Sequence, residues 1–224
     1  MSIAQNLSEI KSNLSEGVEL VAVSKTKPSS AIKEAYATGQ RIFGENRPQE
    51  MQGKAEELPK DIQWHMIGHL QSKKTKYIAP FVSLIHSVDK LSLLEEINKR
   101  AAQNDRIIDV LLQVFIAKEE SKFGMDEDEV IELLNSEAFK TLPNIRVVGL
   151  MGMATNTDNE EVVRQEFKRL KSFFDSIKNS SVSTPLNLTD FTVLSMGMSG
   201  DFKIAMEEGS NMVRIGSSIF GSRN

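Results

Sequence analysis

The sequence contains no cysteine in its 224 residues. This absence excludes a disulfide framework, a thiolate nucleophile and a cysteine-based metal site. It agrees with the reducing conditions of the cytoplasm, where we expect the protein to be located. Long apolar runs are also missing, since no stretch approaches the ~20 residues that a membrane helix requires. The first 17 residues lack the apolar core of a signal peptide, so no membrane association is expected.

Basic charge is not in excess either. The chain has 27 Lys and Arg against 31 Asp and Glu, which gives a formal net charge of −4. Proteins that bind nucleic acids generally present a basic face, so a nucleic acid is not an expected partner. The basic run at residues 72–76 is interpreted as the solvated face of a helix rather than as a docking patch. Nothing in the sequence indicates a homo-oligomer, and a monomer is expected.

What the chain does have is a regular alternation of short β-rich runs with segments of helical spacing. No low-complexity linker or shift in composition divides it, so residues 1–224 are predicted to form one domain. The β-rich runs lie at residues 18–24, 41–45, 62–68, 82–88, 108–117, 145–154, 191–197 and 212–218.

Apolar residues fall on one helical face in several of the intervening segments. Two such faces are formed by Leu91, Leu94, Ile97 and Ala101, and by Val163, Phe167, Leu170, Phe174 and Ile177. The same spacing of Ile3, Leu7, Ile10 and Leu14 predicts an extra helix before the first strand.

Strands separated by helices pair in parallel, and their nearly continuous apolar character indicates that both faces are covered. Eight such runs are the number that closes a (β/α)₈ barrel, and the chain length lies toward the small end of that fold's range. The predicted fold is therefore α/β, a single TIM barrel with an extra N-terminal helix. An open, doubly wound sheet is the alternative, because a count of strands does not exclude it.

Lys25 follows the first predicted strand directly, within the run VAVSKTKP at residues 21–28. In a parallel barrel the active face lies where the strands end. Partial burial against apolar strand ends lowers the pKa of an amine, and a free amine can form a Schiff base with a carbonyl. The alternative is an ordinary loop lysine that extends into water.

Two glycine- and serine-containing loops follow the last two predicted strands. Ser199 and Gly200 open the segment after strand seven, and Gly216 and Ser217 follow strand eight. Glycine permits a close backbone approach, and this fold often holds phosphate in these two loops. Asp201 conflicts with this interpretation unless its carboxylate is turned away, because an acidic group there would repel a phosphate.

Arg214 is a single cation inside an otherwise apolar strand. Such an arginine is either paired with a carboxylate or directed to an acceptor on a ligand ring. Asn46, directly after strand two, is either a neutral hydrogen-bonding group near the same mouth or a turn residue. A lysine that traps aldehydes, a phosphate site and a cation facing a ring acceptor together suggest pyridoxal 5′-phosphate (PLP).

Several motifs resemble those of the pyridoxal phosphate homeostasis protein family, single-domain relatives of the alanine racemase barrel. The motifs are AVSKTKP, FGEN, WHMIGHLQ, SKFGM, GLMGMA, SMGMSGD and MVRIGSSIFG, and the resemblance runs from about residue 18 to residue 223. It implies a PLP-binding barrel of the fold type III class that acts in intracellular vitamin B6 homeostasis as a reservoir, carrier or regulator. The protein would have no established catalytic turnover, and PLP-dependent apoenzymes would be its partners.

The resemblance also implies the roles of individual residues. Lys25 matches the lysine that holds PLP as a Schiff base, and Arg214 matches the arginine that faces the pyridine nitrogen. Asn46 matches an asparagine that lines the cofactor site. The matches to the phosphate-binding positions are Ser199, Gly200, Gly216 and Ser217.

The residues themselves leave three function classes open. A PLP-dependent racemase needs an acid–base group on each face of the substrate, and no second base is identifiable, because Tyr36 and Tyr77 fall in predicted helices. A Schiff-base aldolase using Lys25 is the second alternative, and a scaffold without a ligand is the third. The histidines lack the spacing of metal ligands, so no metal is expected, and His65 and His86 are predicted to line the barrel or its mouth as hydrogen-bonding groups.

Overall fold

The computed structural model describes residues 2–117, 123–179, 188 and 190–221. Its eight strands pair in parallel and in sequence order, and the last strand pairs with the first to close a barrel. The predicted (β/α)₈ barrel is therefore confirmed, and the open sheet is excluded. The strands are β1 (Glu19–Val23), β2 (Ile42–Glu45), β3 (Gln63–Met66), β4 (Leu84–Val88), β5 (Ile108–Val114), β6 (Ile145–Gly152), β7 (Val193–Ser195) and β8 (Met212–Ile215).

Helices connect the strands and cover the outside of the barrel. They are α1 (Ile3–Ser12), α2 (Ser29–Ala37), α3 (Pro48–Glu57), a 3₁₀ helix (Ser72–Tyr77), α4 (Leu91–Ala102), α5 (Glu127–Asn135), α6 (Glu137–Lys140), α7 (Glu160–Lys178), α8 (Phe202–Glu207) and α9 (Ser217–Phe220). Within the described ranges, none of them combines the length and the apolar character needed to cross a bilayer.

The predicted helical faces are largely those that the structure buries. All five apolar residues predicted for α7 are buried. In α4, Leu94, Ile97 and Ala101 are buried, but Leu93 replaces Leu91 as the fourth buried position. Leu91 is the first residue of the helix and lies only partly covered at its end. The N-terminal helix forms as predicted, although it ends before Leu14.

Strand residues alternate between the barrel interior and the layer under the helices, because successive side chains of a strand point to opposite faces. In β8, Val213 and Ile215 pack in the outer layer, whereas Met212 belongs to the interior. Arg214 shares the inward parity of Met212 and therefore extends into the barrel. The apolar interior comprises Val21, Leu84, Leu111, Val148, Met151 and Met212.

Strands seven and eight are shorter than the sequence predicts. β7 covers three residues of the predicted 191–197, and its ladder to β8 consists of the single pair Ser195 and Met212. β8 ends at Ile215, and the four residues from Ser217 form a short helix instead. Strand-forming side chains extend a strand only as far as a neighbouring ladder continues, and Gly197, at φ 95°, turns the chain away after β7. The early ends open the loops that border the barrel mouth.

Candidate functional site

A cavity of about 300 Å³ opens at the carboxyl-terminal mouth of the barrel. Six of the seven residues predicted for the site line it: Lys25, Asn46, Ser199, Arg214, Gly216 and Ser217. Gly200 follows Ser199 but is not part of the wall. The structure thus brings together Arg214 of β8 and residues that follow β1, β2, β7 and β8, up to 192 positions apart in the sequence.

Lys25 is half-buried at the end of β1, and hydrogen bonds fix the backbone on both sides of it. On one side, the Ser24 carbonyl accepts a hydrogen bond of 2.9 Å from the Lys54 ammonium. On the other side, the Thr26 amide donates to the Glu50 carboxylate over 2.7 Å. Thr26 has a φ of 65°, which a residue with a β-carbon adopts only when its surroundings require it.

The Lys54 ammonium joins these two anchors in one buried ion cluster. It lies 2.7 Å from a carboxylate oxygen of Glu45 and 2.7 Å from one of Glu50. The Ser24 hydroxyl donates to the same Glu45 oxygen over 2.6 Å. Lys54 and Glu50 are not among the residues predicted for the site, although their i, i+4 spacing on a helix indicates an ion pair.

Burial and ion pairing act on the two carboxylates of this cluster in opposite senses. Glu45 is fully buried, and this burial raises its pKa even though Lys54 favours its charged form. Burial also acts to raise the pKa of Glu50, but hydrogen bonds from Lys54 and from the Thr26 amide outweigh it and lower the pKa. Glu50 is therefore the more strongly ionised partner of Lys54.

Asn46 enters the cavity wall from the end of β2, and a glycine in the loop after β3 permits its position. A β-carbon at Gly68 would lie 2.6 Å from the Asn46 carbonyl oxygen and 2.8 Å from its Cα. The Ser87 hydroxyl in turn donates to the Gly68 carbonyl over 2.6 Å. The side-chain oxygen of Asn46 is buried and has no hydrogen-bond partner in the part of the chain that the structure describes.

The loops after β7 and β8 are joined to each other. The Gly216 amide donates to the Ser199 hydroxyl over 3.3 Å. A β-carbon at Gly216 would lie 3.2 Å from the Val23 side chain, so the close approach of β8 to β1 favours glycine there. Asp201 accepts a hydrogen bond from the Met198 amide over 2.5 Å, so this carboxylate oxygen is turned back onto its own loop.

Arg214 is buried among neutral acceptors. Its Nη1 donates to the Ser195 carbonyl oxygen over 2.9 Å and to the Ser195 hydroxyl over 2.6 Å, and Nη2 donates to the Gly152 carbonyl over 3.1 Å. Within the described ranges, no carboxylate forms a hydrogen bond or an ion pair with it. Burial lowers its pKa to about 10, so the guanidinium remains charged at neutral pH. Its hydrogen-bond partners are therefore neutral groups, and the Asp201 carboxylate acts on it only as a nearby charge that favours the charged guanidinium.

Two histidines continue the contacts of Ser195 through the barrel interior, which confirms the prediction that they are hydrogen-bonding groups of the barrel. His86 Nδ1 lies 3.1 Å from the Ser195 hydroxyl, and His86 Nε2 lies 3.1 Å from Nδ1 of His65. Burial lowers the pKa of His65 to about 3 and that of His86 well below its ordinary value. Both imidazoles are therefore neutral in the folded protein.

The two tyrosines lie away from the cavity wall. Tyr36 is in α2, where its hydroxyl donates to Asp61 over 2.8 Å. Tyr77 is the last residue of the 3₁₀ helix. Of the motif at residues 121–125, positions 121 and 122 lie outside the described residues.

The fold and the site together define a racemase-type barrel with a lysine after its first strand. A family model described as the alanine racemase N-terminal domain matches residues 1–224. A relative from Aquifex aeolicus, named pyridoxal phosphate homeostasis protein, is 42% identical and covers 92% of this chain and 87% of its own length. A protein of the same name from Vibrio alginolyticus is 38% identical, with 100% of this chain and 98% of the relative covered. The chain belongs to the alanine racemase N-terminal domain family and, within it, to the pyridoxal phosphate homeostasis proteins.

Solved structures show the same relationship. PipY of Synechococcus elongatus without PLP superposes with a TM-score of 0.90 at 35% identity, covering 98% of this chain and 100% of PipY. The structure of PipY with PLP bound gives a TM-score of 0.86 at 36% identity, with 98% and 100% covered. An alanine racemase from Clostridium difficile gives 0.79 at 16% identity and covers 99% of this chain but 57% of the racemase. This last similarity shows a shared barrel only.

Proposed function

We propose that this protein binds PLP reversibly as a Schiff base on Lys25 and acts in intracellular PLP homeostasis as a reservoir, carrier or regulator. One observation carries the proposal: an amine, a buried guanidinium held by neutral hydrogen-bond acceptors and two loops rich in glycine and serine meet in one cavity. The name of the relatives and the PLP bound in PipY support it.

The chemistry of the cavity wall fits this cofactor. Arginine has five N–H donors, and the contacts of Arg214 with Ser195 and Gly152 use three of them. The other two are available to an acceptor in the cavity such as a pyridine nitrogen. The unpartnered oxygen of Asn46 fits a donor on a ligand. The cavity volume also falls at the lower end of the range for small-molecule sites.

The phosphate would rest between the two joined loops. Ser199, Gly200, Gly216 and Ser217 supply two hydroxyls and backbone amides without bulky side chains. A β-carbon at Gly200 would meet nothing within 4 Å, so this amide is approachable from solvent. Because Asp201 accepts the Met198 amide, one of its carboxylate oxygens is engaged within the loop, which reduces the conflict with a bound anion.

Binding without turnover follows from the groups around the ligand. Bound PLP supplies an electron sink for amino-acid chemistry, and a charged arginine at the ring nitrogen leaves that nitrogen unprotonated and weakens the sink. Both tyrosines lie away from the cavity, where neither can act as a second base. We propose a single domain over residues 1–224, a monomer, and PLP-dependent apoenzymes as recipients. A PLP-dependent racemase-like enzyme is the alternative.

Borohydride reduction followed by peptide mass mapping tests the proposal. Reduction converts the imine to a stable secondary amine, and we expect the pyridoxyl group on the peptide that contains Lys25. Lys27 lines the same cavity and provides the matched comparison. The variant Lys27→Ala should keep the imine absorbance, whereas Lys25→Ala should lose it.

Two outcomes would contradict the proposal. One is an adduct on Lys27 or on another lysine, and the other is a colourless protein after saturation with PLP. Incubation of the yellow protein with single free amino acids and chiral analysis of the products separates the two functions. Steady racemisation at a useful rate would establish the enzyme alternative in place of the homeostasis role.

A further inference from the structure

A hydrogen-bond chain of polar side chains crosses the otherwise apolar barrel interior. It runs from Arg214 on β8 to Ser195 on β7, then to His86 on β4 and His65 on β3, with successive hydrogen bonds of 2.6, 3.1 and 3.1 Å. All four residues are buried, each with 4% or less of its surface exposed. Because buried polar groups are costly unless they are satisfied, a chain of four in one barrel requires an explanation.

The charge on Arg214 sets the direction of the first hydrogen bond in this chain, and the others follow from it when the Ser195 hydroxyl donates to His86. A guanidinium can only donate, so the Ser195 oxygen accepts from it. Among the residues that the structure describes, the Ser195 hydroxyl hydrogen then has one partner, Nδ1 of His86, which must be an acceptor. The neutral His86 ring consequently carries its proton on Nε2 and donates it to Nδ1 of His65. His65 therefore carries its own proton on Nε2.

The hydrogen-bond chain ends at the opposite mouth of the barrel. His65 lines a second cavity of about 330 Å³ at the amino-terminal ends of the strands. Its Nδ1 faces His86, so Nε2 is the ring nitrogen on the cavity side. The charged groups that line this second cavity are Glu19, Asp109, Arg146 and Asp190. Arg146 forms ion pairs with both aspartates.

We propose that Ser195, His86 and His65 are positioning residues that form one oriented hydrogen-bond chain and hold the Arg214 guanidinium against the ligand cavity. The Ser195 hydroxyl takes one donor of the guanidinium and the carbonyls of Ser195 and Gly152 take two more, which leaves two of its five donors for a ligand. The direction of the hydrogen-bond chain follows from the charge on Arg214 and from the Ser195 hydroxyl hydrogen having His86 as its acceptor within the described ranges, so a reversed tautomer at one histidine alone would place two donors or two acceptors against each other. This inference rests on the proposed PLP site only for its effect on the ligand.

The tautomers of the ligand-free protein provide the first test. Nitrogen-15 NMR of the imidazoles at neutral pH should show two buried neutral rings that both carry the proton on Nε2. The protein has three histidines. The variant His69→Gln removes the third imidazole and leaves His65 and His86 unchanged, so the signals that remain belong to these two rings. A proton on Nδ1 of either His65 or His86 would overturn the proposal, whether or not PLP binds.

Substitutions in the hydrogen-bond chain provide the second test. Loss of a hydrogen bond to a charged group is worth roughly tenfold in affinity, so Ser195→Ala should weaken PLP binding about tenfold and shift the pH dependence of the imine absorbance. His86→Phe should do the same, since it leaves the Ser195 hydroxyl without its acceptor. Ser195→Thr keeps the hydroxyl and should restore both properties.

The outcomes separate this inference from the proposed function. If every variant keeps the wild-type affinity and the wild-type imine titration while Lys25 carries the adduct, the positioning role is refuted and the PLP site stands. If the wild-type protein forms no imine, the PLP site is refuted, and the NMR result still decides whether the oriented chain exists.

Discussion

Acidification should destabilise this protein through its two interior histidines, because both are buried in the neutral form. The imidazole of His65 has an ordinary pKa of 6.5 that burial lowers to about 3, and the pKa of His86 is lowered in the same direction. Below pH 6.5 the unfolded chain binds protons that the folded protein does not bind. Stability is therefore complete above the unfolded pKa and is lost as the pH falls toward the folded pKa.

The size of the effect follows from linkage. Between about pH 7.5 and about pH 5, a histidine that ionises only when unfolded reduces the free energy of unfolding by about 2 kcal/mol. The two histidines together account for about 4 kcal/mol, a substantial part of the typical 5–15 kcal/mol of a folded domain. Glu45 contributes with the opposite sign, because its folded pKa is raised and its protonation favours the folded state as the pH falls.

Urea unfolding at the two pH values measures this loss, and differences between variants remove the common contribution of Glu45. His65→Gln and His86→Gln each keep a hydrogen-bonding amide but cannot ionise. Each should reduce the pH-dependent loss by about 2 kcal/mol, and the double variant by about 4 kcal/mol. If all three variants lost as much stability as the wild type, the histidines would not be buried in the neutral form and the reasoning would be refuted.

Two further substitutions test the packing of β6 against β7 and the ion cluster beside Lys25. Gly149→Ala would drive its β-carbon into the Val193 carbonyl oxygen of the neighbouring strand, so we expect a loss of more than about 3 kcal/mol in the free energy of unfolding; a loss below about 1 kcal/mol would contradict this contact. Lys54→Met should cost about 3–5 kcal/mol because it leaves Glu45 buried without its cation. Adding Glu45→Gln should recover most of that loss in a double-mutant cycle, and strictly additive losses would argue against the buried pair.

Much of the site was predictable because each of its main residues follows directly from the end of a strand. Lys25 lies two positions beyond β1, Asn46 directly after β2, and Gly216 directly after β8. In a parallel barrel all strand ends of one kind meet at the same mouth. Strand order alone therefore brought these residues together, whatever the details of packing.

Strand ends and helix ends were less predictable than the elements themselves. The apolar character of residues 191–197 extends beyond the three residues that pair in β7, because the ladder with β8 stops after one residue pair. Leu93 rather than Leu91 is buried in α4 because coverage at a helix end depends on its neighbours. Neither outcome depends on the local sequence alone.

The sequence by itself determined the alternation of strands and helices, the parallel pairing of the strands and the position of the lysine and the phosphate loops after particular strands. The tertiary structure alone decided that the sheet closes into a barrel, that Lys54 holds the backbone beside Lys25 and that Arg214 is linked to His65 across the interior. The physical reason is that a local pattern specifies which face of its own strand a side chain occupies. Which inward side chains then touch depends on the tilt and closure of the whole barrel.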